Sequence, residues 1–360
     1  MSLKDTLVTQ RDMVDFASNY NPTTDSILDQ LVPNEKTQNI EQAYIRAKKN
    51  QYTQMAEVHA EDTEAKIATR APFSVEAVKK FLIKEKIALN EEYARLADEL
   101  KDNSVVRDYI FNDAGNMSDR VRTRTLAMKG EMISTGKVTV KENNLNITVD
   151  FKVPAGNFSS VSWATANSRD ILGDIKTVVD NANSKGYKLT RAITSSTIMS
   201  LIQMDANIRS ALYGANATKI PSVNEVNAFL YEQFGVRFVT FDDMYIYETA
   251  AGVRTTNRYI PANKICFFGG AVTETIGKGL YGITPEERNT RINVSQSKNI
   301  YIMNTIWDEN DPVATWTKAS AMFVPVLAGS AYGHYGASLL RFLRLPGFQL
   351  FCGILLVRKA

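Results

Sequence analysis

Histidine and cysteine are almost missing: among 360 residues they amount to His59, His334, Cys266 and Cys352. So few ligands, so far apart, make neither a zinc site nor a disulfide framework. A reduced history is the simple reading of two isolated cysteines. A Ser/His/Asp triad would have to use a histidine from a charged loop or from a Tyr/Gly-rich tail, and no Gly-x-Ser-x-Gly elbow is present. Gly269-Gly270 and Gly277-Lys278-Gly279 lack the spacing that cradles a pyrophosphate and read as turns between strands. No run of about 20 apolar residues is available to cross a bilayer. The nearest, Leu345–Val357, is broken by Pro346, Gly347 and Gln349. The start, Met1-Ser-Leu-Lys-Asp5, lacks a basic-then-apolar targeting pattern, and no membrane partner is expected. Charge of one sign is also scarce. The net charge is +3, with Lys and Arg mixed among Asp and Glu, unlike the clustered basic face of a dedicated nucleic-acid binder.

What is present suits a folded protein of one large or two modest domains: 44% apolar and 22% charged residues, enough for a core without staples. Asp242-Asp243 and the group Asp308, Glu309, Asp311 could hold a metal or move protons, but both read as turns. Trp163, Trp307 and Trp316 read as core or interface anchors. No catalytic residue, cofactor or metal is expected.

Along the chain, residues 1–36 are polar, with short apolar groups (Met13, Val14, Phe16; Ile27, Leu28, Leu31) that suit an arm packing on something else. Residues 37–72 alternate at Ala43, Ile45, Ala47 and at Ala56, Val58, Ala60, which favours a long exposed hairpin or loop, with helix as the alternative near Gln38–Gln54. Val78, Leu82, Leu89, Tyr93, Leu96 and Leu100 predict an amphipathic helix over 76–101. A second helix follows from Asn103 or Ser104, with an interruption at Gly115 and an end at Gly136. Lys137–Lys141 and Ile147–Val153 alternate as a β-hairpin around Asn143-Asn144. Residues 165–264 read as a mixed α/β unit. Its expected helices are Asp170–Lys185, Ser195–Asp205 and Ser222–Phe234; its expected strands are Lys188–Ile193, Arg237–Phe241 and Tyr245–Glu248. Ile265–Phe268, Gly279–Ile283, Ile300–Trp307 and Ala314–Val326 are further strands.

Several stretches resemble the lambda-type tailed-phage major capsid proteins, the capsid protein E family. They are Val58-His-Ala-Glu-Asp-Thr-Glu-Ala65, followed by the amphipathic helix with Leu82-Ile-Lys-Glu-Lys-Ile87; Leu126-Ala-Met-Lys-Gly-Glu-Met-Ile-Ser-Thr-Gly-Lys-Val138; Val149-Asp-Phe151 with Pro154-Ala-Gly-Asn157; and Trp163 with Arg169-Asp-Ile171. Phe241-Asp-Asp-Met-Tyr245, Gly279-Leu-Tyr-Gly282 and Pro325-Val326 continue the series in the same order. The resemblance covers roughly residues 25–328 and implies an α+β chain of the Hong Kong 97-type capsid fold.

It further implies a self-assembling major capsid protein with no enzymatic role, located in the virion and, during assembly, in the host cytoplasm. The parts would be an N-terminal arm (1–36), an extended loop across a neighbour (37–72), a peripheral domain with spine helix and hairpin (73–164), an axial domain (165–264) and return strands (265–328). Implied partners are other copies in hexamers and pentamers, a scaffolding protein, head protease or decoration protein, a portal, and packaged DNA by weak nonspecific contact. The loop charges Arg46, Lys48, Lys49, Glu57, Glu61, Asp62, Glu64 and Arg70 would pair between subunits. Residues 329–360 depart from the family: Leu/Phe-rich, with Arg341, Arg344, Arg358 and Lys359 and no acid. A terminal strand, a decoration and fused or out-of-frame sequence all fit that tail. Two other functions stay open on sequence alone: a non-viral shell or nanocompartment of the same fold, and a soluble ligand-binding α/β protein.

Overall fold

The computed structural model describes residues 12, 15–16, 19–20, 26–39, 41–47, 55, 73–89, 103–142, 144–163, 169–215, 218–249, 252–269, 275–288, 301–310, 313–327 and 341–344. In chain order, a short helix α1 (Ile27–Leu31) precedes strands β1 (Asn34–Lys36), β2 (Glu41–Ala47), β3 (Phe73–Lys79) and β4 (Phe81–Leu89). The long helix α2 (Asn103–Thr135) leads into β5 (Lys137–Glu142), β6 (Leu145–Asp150) and β7 (Phe158–Ser160). Then come α3 (Ile171–Asn183), β8 (Leu189–Thr194), α4 (Ser196–Gln203), α5 (Ala206–Tyr213), α6 (Val223–Phe234), β9 (Arg237–Thr240), β10 (Met244–Glu248) and β11 (Arg254–Arg258). The last strands are β12 (Lys264–Gly269), β13 (Gly277–Gly282), β14 (Met303–Asn310), β15 (Val313–Leu327) and β16 (Arg341–Arg344).

Two compact units divide this order, one formed chiefly by residues 54–152 and 273–337 with the start of the chain, the other chiefly by 153–272 with 338–360. The boundaries fall at 152/153 and 272/273 rather than 164/165 and 264/265, because β7 and β12 belong to the sheet of the second unit.

The first unit is a helix laid on a sheet. β15 is 15 residues long, enough to pair with three strands: β14 along its first half, β4 along its middle and β13 at its end, all antiparallel. β1 adds to β13 in parallel, Asn34 opposite Gly279. At 1.5 Å per residue α2 is about 50 Å long, and it buries Ile110, Ala114, Met117, Val121, Met128, Met132 and Ile133. Gly115 does not interrupt it; the helix runs through without a break. It stops where expected: Gly136 takes the left-handed conformation (φ 69°) and donates its N–H to the Met132 carbonyl at 2.9 Å. The hairpin β5–β6 also forms as read, with Asn144 left-handed (φ 62°) at its turn.

The helix expected over 76–101 is replaced by strands over 73–89; residues 90–101 lie outside the described residues. The period-two pattern was the governing one. In β4, Phe81 is buried while Lys84 and Lys86 face outward, and Val, Ile and Phe are residues that suit a pleated surface. The strand alternative for the earlier segment holds, since Glu41–Ala47 pairs antiparallel with Phe73–Lys79, and helix near Gln38–Gln54 is excluded where described. Leu28, Leu31 and Val32 are buried within the first unit, so this stretch of the expected arm packs on its own subunit.

The second unit carries the sheet β7-β16-β12-β8-β9 and its own core. Trp163, Ile175, Ile202, Leu230, Phe238 and Phe267 are among the residues that fill it. Trp163 donates its ring N–H to Asp174 at 2.7 Å, a core anchor with its polar edge satisfied. Each helix start has a cap. The Asp170, Ser195 and Asp205 side chains accept first-turn N–H groups, and Ser222 with Glu225 forms a reciprocal capping box. The expected helix Ser195–Asp205 ends at Gln203, and Asp205 caps a further helix that the reading missed. Strand β11 was missed too, because Arg-Thr-Thr-Asn-Arg carries no apolar alternation. Within the tail, Arg341–Arg344 is a strand between β12 and β7.

Candidate functional site

Among the described residues there is no group of three or more His, Cys, Asp or Glu able to hold a metal. Of the carboxylates singled out from sequence, Asp242 and Glu309 have structural partners, and Asp311 lies outside the described residues. Asp242 accepts the Ser196 N–H at 3.1 and 3.2 Å and pairs with Arg258. These partners hold its pKa below the usual value against the opposing effect of burial. Asp308 and Glu309 are strand residues rather than turn residues, and Glu309 accepts the Trp316 ring N–H at 2.6 Å. That indole stacks on Trp307 across the β14–β15 pair, with Lys86 Nζ 3.7 Å above the Trp316 ring.

The surfaces that stand out are ribbons. β2–β3, β5–β6 and β10–β11 are each two-stranded sheets without a third strand among the described residues. A lone two-stranded ribbon is marginal in water, and two of these carry exposed apolar side chains. Ile246 is 68% exposed and Met244 52% on β10, with Val253 beside the turn. Leu145 and Ile147 are exposed on β6, on the face whose partners Val138 and Val140 are buried. Among the described residues, no further strand pairs with their edges, and the apolar faces of β6 and β10 suit a further layer.

Of the loop charges read as inter-subunit contacts, Arg46 lies in β2 opposite Ser74. Lys48, Lys49, Glu57, Glu61, Asp62, Glu64 and Arg70 lie outside the described residues.

A second constellation, missed in the sequence, is a buried anchor for residues 26–39. Lys129 of α2 has no exposed side-chain surface and donates to Asp29 Oδ1 (2.5 Å), the Val32 carbonyl (2.7 Å) and Asn34 Oδ1 (2.6 Å). Arg122, two turns earlier, holds the other Asp29 oxygen at 3.0 Å. Lys80 is buried as well and donates to Thr37 Oγ1 and the Asn39 carbonyl. Burial lowers the pKa of both lysines; for Lys129 the neighbouring Asp29 pulls the other way. Gly279 and Gly282 make the room: a Cβ at 279 would stand 2.9 Å from Asn34 Oδ1, and one at 282 would stand 2.8 Å from Lys80 Cδ. The clue lay in the spacing. Lys129 sits three residues after Leu126 and four before Ile133, on the apolar stripe of its helix.

A long helix on a mixed sheet, a separate α/β unit and uncovered ribbons are the parts of a Hong Kong 97-type phage capsid protein. Solved structures share the fold. The putative capsid protein of an Escherichia coli CFT073 prophage aligns with TM-score 0.58 at 12% identity, over 94% of this chain and 99% of that one. A phage-related protein from Bordetella bronchiseptica RB50 aligns with TM-score 0.53 at 11% identity, over 94% of this chain and 97% of that one. A chain of the mature capsid of bacteriophage PhiM1 aligns with TM-score 0.50 at 7% identity, over 92% of this chain and 90% of that one. No curated protein matches the sequence. The model of the family described as phage major capsid protein E matches residues 9–329, and the chain belongs to that family, the shell-forming proteins of tailed phages.

Proposed function

We propose that copies of this chain close as hexamers and pentamers around packaged phage DNA, and that the chain has no catalytic activity. The observation that carries this reading is the family match across residues 9–329. The first 36 residues are the N-terminal arm, 37–72 the extended loop over a neighbouring copy, and the unit around 153–272 the axial domain. The uncovered faces of β6 and β10 are covered by other copies. Charges of both signs on the loop pair between subunits, each pair worth about 0–1 kcal/mol, so that number and arrangement set the register. A portal, a scaffolding protein and a head protease or decoration protein act on the shell during assembly in the host cytoplasm, and DNA touches its inner wall by weak nonspecific contact.

The test is the content of particles purified from cells that produce the complete phage. Nuclease-resistant DNA inside shells built of this chain is the expected result. Shells that instead hold a bound enzyme would point to a nanocompartment.

A further inference from the structure

Strand β16 is wedged into the sheet of the second unit between two strands that are already in register with each other. Phe158, Phe342 and Cys266 stand in one row across β7, β16 and β12, and Ser160, Arg344 and Lys264 in another. β16 is parallel to β7 and antiparallel to β12, so β7 is itself antiparallel to β12. With β16 gone, a shift of one strand spacing, about 4.8 Å, brings β7 onto β12 row for row. The slot can therefore open and close.

The hold on β16 is slight. The strand has four residues, and three of them pair with β7. The register sets one cation, Arg344, opposite another, Lys264, and like charges directly opposite weaken a sheet. β7 is exposed along its length, with Phe158 at 42%. The other wall of the slot is fixed: β12 also pairs with β8, and Cys266, Phe267 and Phe268 are fully buried. The strand is on a long tether. β15 ends at Leu327 in the first unit and β16 begins at Arg341 in the second, so 13 residues join them, a reach of about 45 Å when extended. The strand also lies past residue 329, outside the part of the chain that the family shares.

We infer that the slot between β7 and β12 is a strand-docking site, and that in the assembled protein its occupant is residues 341–344 of a second copy. Exchange between identical copies keeps every backbone pair of the slot and changes only the path of the tether. Main-chain hydrogen bonds supply the affinity, and adjacent copies present their tails to one another at an effective concentration on the order of millimolar. Each copy gives one strand and receives one. The inference rests on the shell reading, which supplies the neighbour.

The test uses the full-length chain carrying Cys352→Ser, Lys264→Cys and Arg344→Cys. Paired positions in an antiparallel sheet have Cα atoms about 4.5–5.5 Å apart, a span that a disulfide bridges, and the fully buried Cys266 stays out of the reaction. Equal parts of heavy-isotope and unlabelled chain are assembled together, sized, oxidised and denatured. The expected result is a ladder of covalent dimers and longer chains on a gel without reductant. In the digest, peptide pairs joined between positions 264 and 344 have one heavy and one light half as often as two of a kind. Links found only in pairs of one kind, with a single monomer band, overturn the inference and leave the shell reading standing. Particles with no link between these positions do the same. A chain that sizes only as a monomer removes both. Ser160→Cys with Arg344→Cys, joined by a short bismaleimide across the β7 side of the slot, gives the same heavy–light readout if the first variant does not fold.

Discussion

Burying a lysine is costly unless its donors are matched, and each of the two lysines here has its own set of acceptors. Lys80 meets only neutral oxygens, from Thr37 and Asn39, so burial governs its titration. Its folded pKa lies below 10.5. Between the folded value and the unfolded one the unfolded chain binds a proton that the folded chain does not, and stability rises with pH across that window. Lys80→Met removes that slope. Urea midpoints measured from neutral to alkaline pH should show the wild type gaining on the variant as pH rises. Gly279 is a residue of the same kind of consequence. A methyl group there meets Asn34, Phe323 and Lys129 at 3.0 Å or less, and overpacking of this sort costs about 1–3 kcal/mol. Gly279→Ala should lower the unfolding free energy by that amount and speed proteolysis within residues 26–39. Cys266 is fully buried, and its thiol pKa is pushed up to about 12. Alkylation at mildly alkaline pH should leave Cys266 unlabelled in the native protein and label it in denaturant, read by peptide mapping.

At the scale of elements, local chemistry decided most boundaries. The helix α6 begins at the Ser222–Glu225 capping box, where the Ser222 N–H and hydroxyl hold the Glu225 pKa down to about 2. Ser222→Ala should cost about 1 kcal/mol and move the Glu225 titration upward, followed by carboxyl chemical shifts. Such caps, the Gly136 stop and the alternation of β5–β6 are short-range signals, which is why they could be read from residues alone. Val78, Leu82 and Leu89 misled because spacings of three and four also occur by chance within a strand. What settled β4 was its register against β15, a partner more than 200 positions away, from Phe81↔Phe323 to Leu89↔Thr315. The anchor around Lys129 was hidden for the same reason. Asp29 and Asn34 are 100 and 95 positions from the lysine, and only the parallel pairing of β1 with β13 brings them to it. The ribbon β10–β11 has no such partner within the described chain. Ile246→Asp on its exposed face should leave thermal unfolding of the free subunit unchanged within about 0.5 kcal/mol while weakening assembly, read by light scattering.

For the molecule as a whole, the order of short stretches along the chain was more informative than any one of them. Leu126–Val138, Trp163 with Arg169–Ile171, and Gly279–Gly282 fall on the spine helix and the start of β5, on the second unit's core and α3 cap, and on the strand whose glycines leave room for the buried lysines. They mark positions where packing is tight. The exposed apolar faces of β6 and β10 suit contacts beyond one subunit, since repeated moderate contacts close a shell by symmetry. Electron microscopy of the purified full-length chain, with sizing of the same sample, tests this most directly. Closed shells or curved sheets of many copies are the predicted result. A stable monomer under all conditions, including crowding and the presence of a scaffolding protein, would contradict it.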